Sequence, residues 1–263
     1  MQNEFILNRK HQKISVHIER SNPELGLVFV MHGLGGYKEQ PHIRAITEVF
    51  RENSFATVSF DTTNSIGESD GKFEDATTTN YYEDLEDVIA WSHNQPWYQE
   101  PFVLAGHSLG GLCIALYVEK YPRKVRALVP ISPVVSGSLT VEAHKRFEPE
   151  DYATWERTGW QVKESGSRPG LIKRLPWSHI VDRLRYDLLP QAGQITMPVL
   201  TIVGEKDTSI PPDHVQMLFN SVTGPKEMHV VQNAPHTFRD PKHLEEIQGI
   251  IGAWIEKYLR NST

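Results

Sequence analysis

The sequence predicts an α/β domain: a mostly parallel central sheet of about eight strands, flanked by helices on both faces and interrupted by one inserted segment. Two observations carry this reading. Continuous apolar runs at residues 27–31, 55–60, 101–105, 127–131 and 199–203 have strand length and the unbroken hydrophobicity of strands covered on both faces. Between them, apolar residues recur at helical spacing, and strands alternating with helices are the pattern of parallel strands joined by crossovers.

In chain order, Ile14, Val16 and Ile18 alternate with polar residues, so the sheet is expected to open with an antiparallel pair near residues 4–19. Ile43, Ile46, Val49 and Phe50 predict the first helix. Tyr82, Leu85, Val88 and Ile89 predict the second, with Asn80 and Glu83 as its capping pair. Leu112, Ala115, Leu116 and Val118 predict a third, and residues 244–259 a last one. Residues 134–190 contain no convincing buried strand but hold three of the six Trp, nine basic and eight acidic residues, and read as an inserted cap. Residues 1–133 and 191–263 then form the core. The net charge of −6 divides accordingly into +1 for the cap and −7 for the core.

Composition narrows the function. A chain with 27 Lys and Arg against 33 Asp and Glu, and pI near 6.1, lacks the basic face that nucleic acid requires. No apolar run approaches the ~20 residues of a membrane span. The N-terminus has no secretion-signal pattern, so a cytoplasmic location is expected. The single cysteine, Cys113, excludes an intramolecular disulfide and a multi-cysteine metal site, and reads as a buried structural thiol. A monomer or homodimer is expected.

Two segments fit the Gly-x-Ser-x-Gly pattern of a nucleophile elbow. Gly106-His107-Ser108-Leu109-Gly110 lies between an apolar strand and an apolar helix, the context the motif requires, so Ser108 reads as the nucleophile. Gly67-Glu68-Ser69-Asp70-Gly71 has neither neighbour, and Ser69 reads as loop structure. A serine hydroxyl needs a base, and the base needs an orienting acid. Asp207 follows the strand at 199–203, and His236 follows the last strand, which makes them the acid and the base. Glu205 and Asp213 are alternatives for the acid, although Asp213 suits a helix cap better. His144, His179, His214 and His243 read as surface residues. Backbone N–H groups of Leu109, after the nucleophile, and Leu34, in His32-Gly33-Leu34-Gly35-Gly36, are the candidate oxyanion donors.

These motifs resemble the α/β-hydrolase superfamily along nearly the whole chain. His32-Gly33, Phe60-Asp61, Gly106 to Gly111, Gly204-Glu205-Lys206-Asp207 and Pro235-His236 stand where it has its oxyanion loop, fourth-strand end, elbow, acid and histidine. The stretch from Gly67 to Asp75 is similar to that of cinnamoyl and feruloyl esterases. It departs at Ser65-Ile66-Gly67, where Gly-His-Gly is usual, and at Leu109, where Gln is frequent. Monoacylglycerol lipases and serine aminopeptidase-like hydrolases share the framework.

The resemblance implies a serine esterase that cleaves small or aromatic carboxylic esters through an acyl-enzyme, with neither metal nor organic cofactor. A lipase, a peptidase or amidase, and a non-catalytic binding module are the competing readings; the intact set Ser108, Asp207 and His236 speaks against the last. In the cap, Trp155, Trp160 and Trp177 are candidate substrate-binding residues, while Arg168, Lys173, Arg174, Arg183 and Arg185 could tolerate acidic groups, although a solvated face is the preferred reading.

Overall fold

The computed structural model describes residues 2–260. β1 (Gln2–Leu7) and β2 (Lys13–Glu19) form the expected antiparallel pair, and β3 (Gly26–Met31), α1 (Pro41–Glu52), β4 (Phe55–Phe60) and α2 (Thr78–Ser92) follow. β5 (Phe102–His107), α3 (Leu109–Lys120) and β6 (Val125–Ile131) come next. The chain then leaves the sheet for α4 (Gly137–Phe147), α5 (Pro149–Thr158), the antiparallel pair β7 (Trp160–Glu164) and β8 (Ile172–Pro176), and α6 (Ser178–Arg183). It returns with β9 (Val199–Gly204), α7 (Pro212–Ser221), β10 (Lys226–Val231) and α8 (Pro241–Ile255).

The eight-stranded sheet has the order β1-β2-β4-β3-β5-β6-β9-β10 and is parallel from β4 onward. Period-two alternation divides the core between its faces. In β3, Leu27, Phe29 and Met31 join Tyr81, Leu85 and Val88 of α2 and Leu112 of α3. Val28 and Val30 face the other way, toward Ile43, Ile46 and Phe50 of α1 and Ile251 and Trp254 of α8. Every residue of β3, β4, β5 and β9 is buried, which is why these strands read as unbroken apolar runs.

Local details depart from expectation in instructive ways. Thr77, in extended conformation, caps α2 by accepting the Asn80 N–H at 3.0 Å, so Asn80 supplies the orphan donor rather than the cap. Asp213 lies in the first turn of α7, whose N-cap is Pro211, and it pairs with Arg146 at 3.1 Å. His179 and His214 are buried, not superficial, because α6 and α7 turn those faces inward.

One ion pair ties the loop after β3 to the end of β4. The ammonium of Lys38, itself buried, lies 2.9 Å from the fully buried Asp61 carboxylate and 2.7 Å from Glu68. Asp61 also accepts the backbone N–H groups of Lys38 at 2.7 Å and Glu68 at 2.9 Å. Burial pulls the ammonium toward neutrality, but Glu39, Glu68 and Asp61 outweigh it and hold its pKa above the usual lysine value. Removing one partner strands a buried charge, so Lys38→Met should lower unfolding free energy by about 3–5 kcal/mol in urea titrations. A loss under about 1 kcal/mol would show that the pair does not hold this loop.

Candidate active site

β5 delivers Ser108 to a turn in which its backbone takes φ +56° and ψ −117°, a conformation that L-residues adopt at a cost of about 1–3 kcal/mol. Sterics select the flanking glycines. A Cβ on Gly106 would stand 2.7 Å from the Gly110 carbonyl oxygen, and one on Gly110 would stand 2.6 Å from that of His32. The strained turn is pinned on both sides: Ser108 N–H donates to Ile131 O at 2.9 Å, and Ser108 O accepts from Val134 N–H at 3.0 Å.

The other two predicted residues meet the serine. Asp207, in the turn after β9, accepts the N–H groups of Ser209 at 3.0 Å and Ile210 at 2.8 Å through Oδ1. Its Oδ2 lies 2.7 Å from His236 Nδ1, and His236 Nε2 lies 2.9 Å from Ser108 Oγ. Burial raises the Asp207 pKa, but His236 and the Ile210 N–H outweigh it and leave the carboxyl below its usual range. An ionised Asp207 accepts from Nδ1–H, which leaves Nε2 as the acceptor for the serine hydroxyl.

The rivals are otherwise engaged. Glu205 accepts the Asn233 N–H at 2.8 Å, and Asp213 is held by Arg146. Ser69 donates to Asp61 O at 2.6 Å and accepts from Ser15 N–H at 2.8 Å, the loop role expected of it.

The loop after β3 passes against the nucleophile: a Cβ on Gly33 would stand 2.9 Å from Ser108 Cβ. Buried His32 shapes this loop, donating Nδ1–H to Gly33 O at 2.7 Å and accepting Thr62 N–H through Nε2 at 3.1 Å. Gly35 N–H donates to Tyr81 Oη at 3.2 Å. Leu34 is partly buried between them, and Leu109 opens α3, where helix geometry leaves its N–H without an intrahelical acceptor.

His107 escaped the sequence reading, because a histidine inside a buried strand carries no signal of its own. Its Nε2–H donates to His236 O at 2.8 Å, and the two rings lie 4.7 Å apart. His107 therefore fixes the backbone of the histidine that faces Ser108.

A cavity of about 200 Å³ lies beside the site, with Leu34 in one wall and Thr208 and Ser209 in another. The three tryptophans of residues 134–190 divide. Trp155 lines the cavity; Trp177 packs edge-on behind it at 5.8 Å; Trp160 lies in a separate groove with the Arg174 guanidinium 4.6 Å over its ring. Ligand atoms of His144, Glu148 and Asp151 lie within 4.8 Å of one another, but Lys163 bonds both carboxylates and already supplies the positive charge a metal ion would bring. Arg183, expected on a solvated face, is buried at the end of α6.

Fold and site together define the class, an α/β-hydrolase. The family model for serine aminopeptidase, S33, matches residues 22–241, and the chain belongs to that family of serine hydrolases. It is 21% identical to an uncharacterized 31.7 kDa protein of the traX-finO intergenic region of Escherichia coli, covering 94% of this chain and 96% of that one. It is 25% identical to the mitochondrial palmitoyl-protein thioesterase ABHD10 of Bos taurus, covering 81% of this chain and 67% of the relative. Among solved structures, Est1E from Butyrivibrio proteoclasticus with ferulic acid bound superposes with TM-score 0.80 at 20% identity, covering 98% and 99% of the two chains. Mouse ABHD10 superposes with TM-score 0.76 at 20% identity and the same coverage. Among the described residues, no helix is long and apolar enough to cross a membrane.

Burial pushes the His107 pKa down to about 3, and lowers those of His32, His42 and His179. In the unfolded chain these imidazoles take up protons near pH 6.5. Between about pH 3 and 6.5 the unfolded state therefore binds more protons than the folded one, and stability falls as pH falls. His107→Gln should flatten the decline of the unfolding free energy from pH 7 to 4, read from urea titrations, by up to about 1.4 kcal/mol per pH unit. An unchanged slope would mean that His107 is not the buried neutral group.

Proposed function

We propose that the protein is a serine ester hydrolase in which Ser108 is the nucleophile, His236 the general base and Asp207 the orienting acid. The observation that carries this reading is the hydrogen-bonded series from Asp207 Oδ2 through His236 to Ser108 Oγ, 2.7 and 2.9 Å long, on a turn with positive φ. Ser108 Oγ attacks the ester carbonyl as its proton passes to His236 Nε2. The N–H groups of Leu34 and Leu109 receive the oxyanion, and the proton goes on to the departing alcohol. Water, deprotonated by His236, then cleaves the acyl-serine and restores the enzyme. Nothing in these steps calls for a metal or an organic cofactor.

Residues 134–190 act as the cap over a core of residues 1–133 and 191–263. The cavity suits a small or aromatic carboxylic ester, in keeping with the ferulic acid bound to Est1E, with Trp155 in contact and Trp177 supporting it. Thioesters, named in the ABHD10 relatives, follow the same acyl-enzyme route, but about 200 Å³ with charged walls disfavours a long acyl chain. Aminopeptidase action needs a free acid for the substrate's amine, and Glu148 in the cavity wall is engaged by Lys163, which favours esters.

A fluorophosphonate probe should label the native chain and leave Ser108→Ala unlabelled; equal labelling of both would remove Ser108 from the mechanism. Asp207→Asn should lower ester turnover by about 10⁴-fold, the loss that follows when a triad imidazole is held in the wrong tautomer. A near-native rate in that variant would move the acid elsewhere.

A further inference from the structure

The wall of the cavity beside the site carries a buried cation that forms no ion pair among the described residues, and only the field of neighbouring Asp182 favours its charge. Arg183 is only 8% exposed and lines the cavity wall. Its Nη2 donates to His179 Nε2, a neutral partner: His179 donates Nδ1–H to Ala76 O at 2.8 Å, and burial holds the ring well below its ordinary pKa. The buried Nε–H of Arg183 has no hydrogen-bond partner. Among the described residues no carboxylate forms an ion pair with this guanidinium. Neighbouring Asp182 is committed to Thr79 and Arg185, and Glu148, the carboxylate of the cavity wall, is half exposed and engaged by Lys163. Burial lowers the Arg183 pKa only to about 10, so the group is charged at neutral pH.

A second donor in the same wall is also unsatisfied. Trp155 is 3% exposed, and its buried Nε1–H has no partner. Leaving a buried donor unpaired is costly, and leaving a buried charge without an ion pair costs more, so two such side chains in the wall of one cavity favour an acceptor from outside the protein. The planar guanidinium fork matches a carboxylate. Leu34, Ala143, Phe147 and Leu175 make the rest of the wall partly apolar, suited to a short hydrocarbon spacer.

We propose that this cavity binds a free carboxylate on the substrate: the enzyme takes half-esters, whose acyl part ends in a carboxylate, and Arg183 and Trp155 determine that specificity. This rests on the serine-hydrolase reading above. Hydrolysis breaks the acyl–oxygen bond, returns a proton to the alcohol, consumes one water and leaves a dicarboxylate.

The test uses the full chain and two p-nitrophenyl esters of hexanedioic acid, one with the far carboxyl free and one with it methylated. The native enzyme should favour the free acid in kcat/KM by about 10-fold or more, through KM. Arg183→Gln should reduce that preference by about 10- to 100-fold, the range for a hydrogen bond to a charged group. Arg183→Lys should fall between, and Trp155→Phe should lower the preference several-fold while keeping the ring, which covers the case in which Arg183→Gln does not fold. Independently of turnover, hexanedioate should raise the Tm of Ser108→Ala, and adding Arg183→Gln should abolish most of the shift while adding Arg183→Lys should keep part of it. Cleavage of both esters at equal kcat/KM with no Tm shift would overturn the carboxylate pocket and leave the hydrolase reading standing. Cleavage of neither, with an Arg183-dependent Tm shift, would support the pocket and overturn the hydrolase reading instead.

Discussion

The positive-φ turn at Ser108 is the constraint around which the site is built. A residue other than glycine in that conformation persists only if its surroundings over-determine it, and here β6 grips the turn from one side and the loop after β3 from the other. The same crowding that demands Gly106 and Gly110 brings the carbonyl of His32 and the Cβ of Ser108 against neighbouring backbone. Strain and preorganisation are thus one arrangement. The serine is lifted clear of β5 because its neighbours leave it no other course.

Around this turn, polar groups are buried in sets that satisfy one another. Lys38 and Asp61 hold the loop that carries Leu34; His32 fixes that loop's carbonyl; His107 holds the backbone of His236. Each of these histidines is neutral through burial and acts as a fixed donor or acceptor rather than a titrating group. His236 differs in being partly exposed, in facing the ionised Asp207 and in offering its other nitrogen to a hydroxyl. Environment, not residue type, separates the imidazole that faces Ser108 from the others.

What the sequence made legible follows from how local the determinants are. The strands on the parallel side of the sheet were readable because two-sided burial writes itself into consecutive residues, and Ser108 because its glycines are adjacent in the chain. Asp207 and His236 could be placed from chain order, and the structure brings them together across 29 residues of sequence. Long-range determinants left no such mark. Nothing near His107 indicates that it will meet the backbone of His236, 129 residues away. The cap of α2 was misjudged by three residues because Thr77 and Asn80 are both good capping types, and only the backbone angles distinguish them.

Arg183 shows the same limit where it matters most. By composition it is one basic residue in a segment with a net charge of +1, and its neighbours in sequence encourage a solvated reading. Lys163 is neutralised by Glu148 and Asp151, Arg146 by Asp213, and Arg185 by Asp182. These pairs take up three of the segment's nine basic residues and leave little field of their own. What remains is decided by burial. His179 and Arg183, four residues apart on α6, turn inward together and carry one guanidinium into the wall of the cavity that Leu34 and Ser209 also line. The charge proposed to meet the substrate is therefore set not by the sum over residues 134–190 but by burial: Arg183 is the one basic residue of that segment that is buried, and it has no ion-pair partner among the described residues.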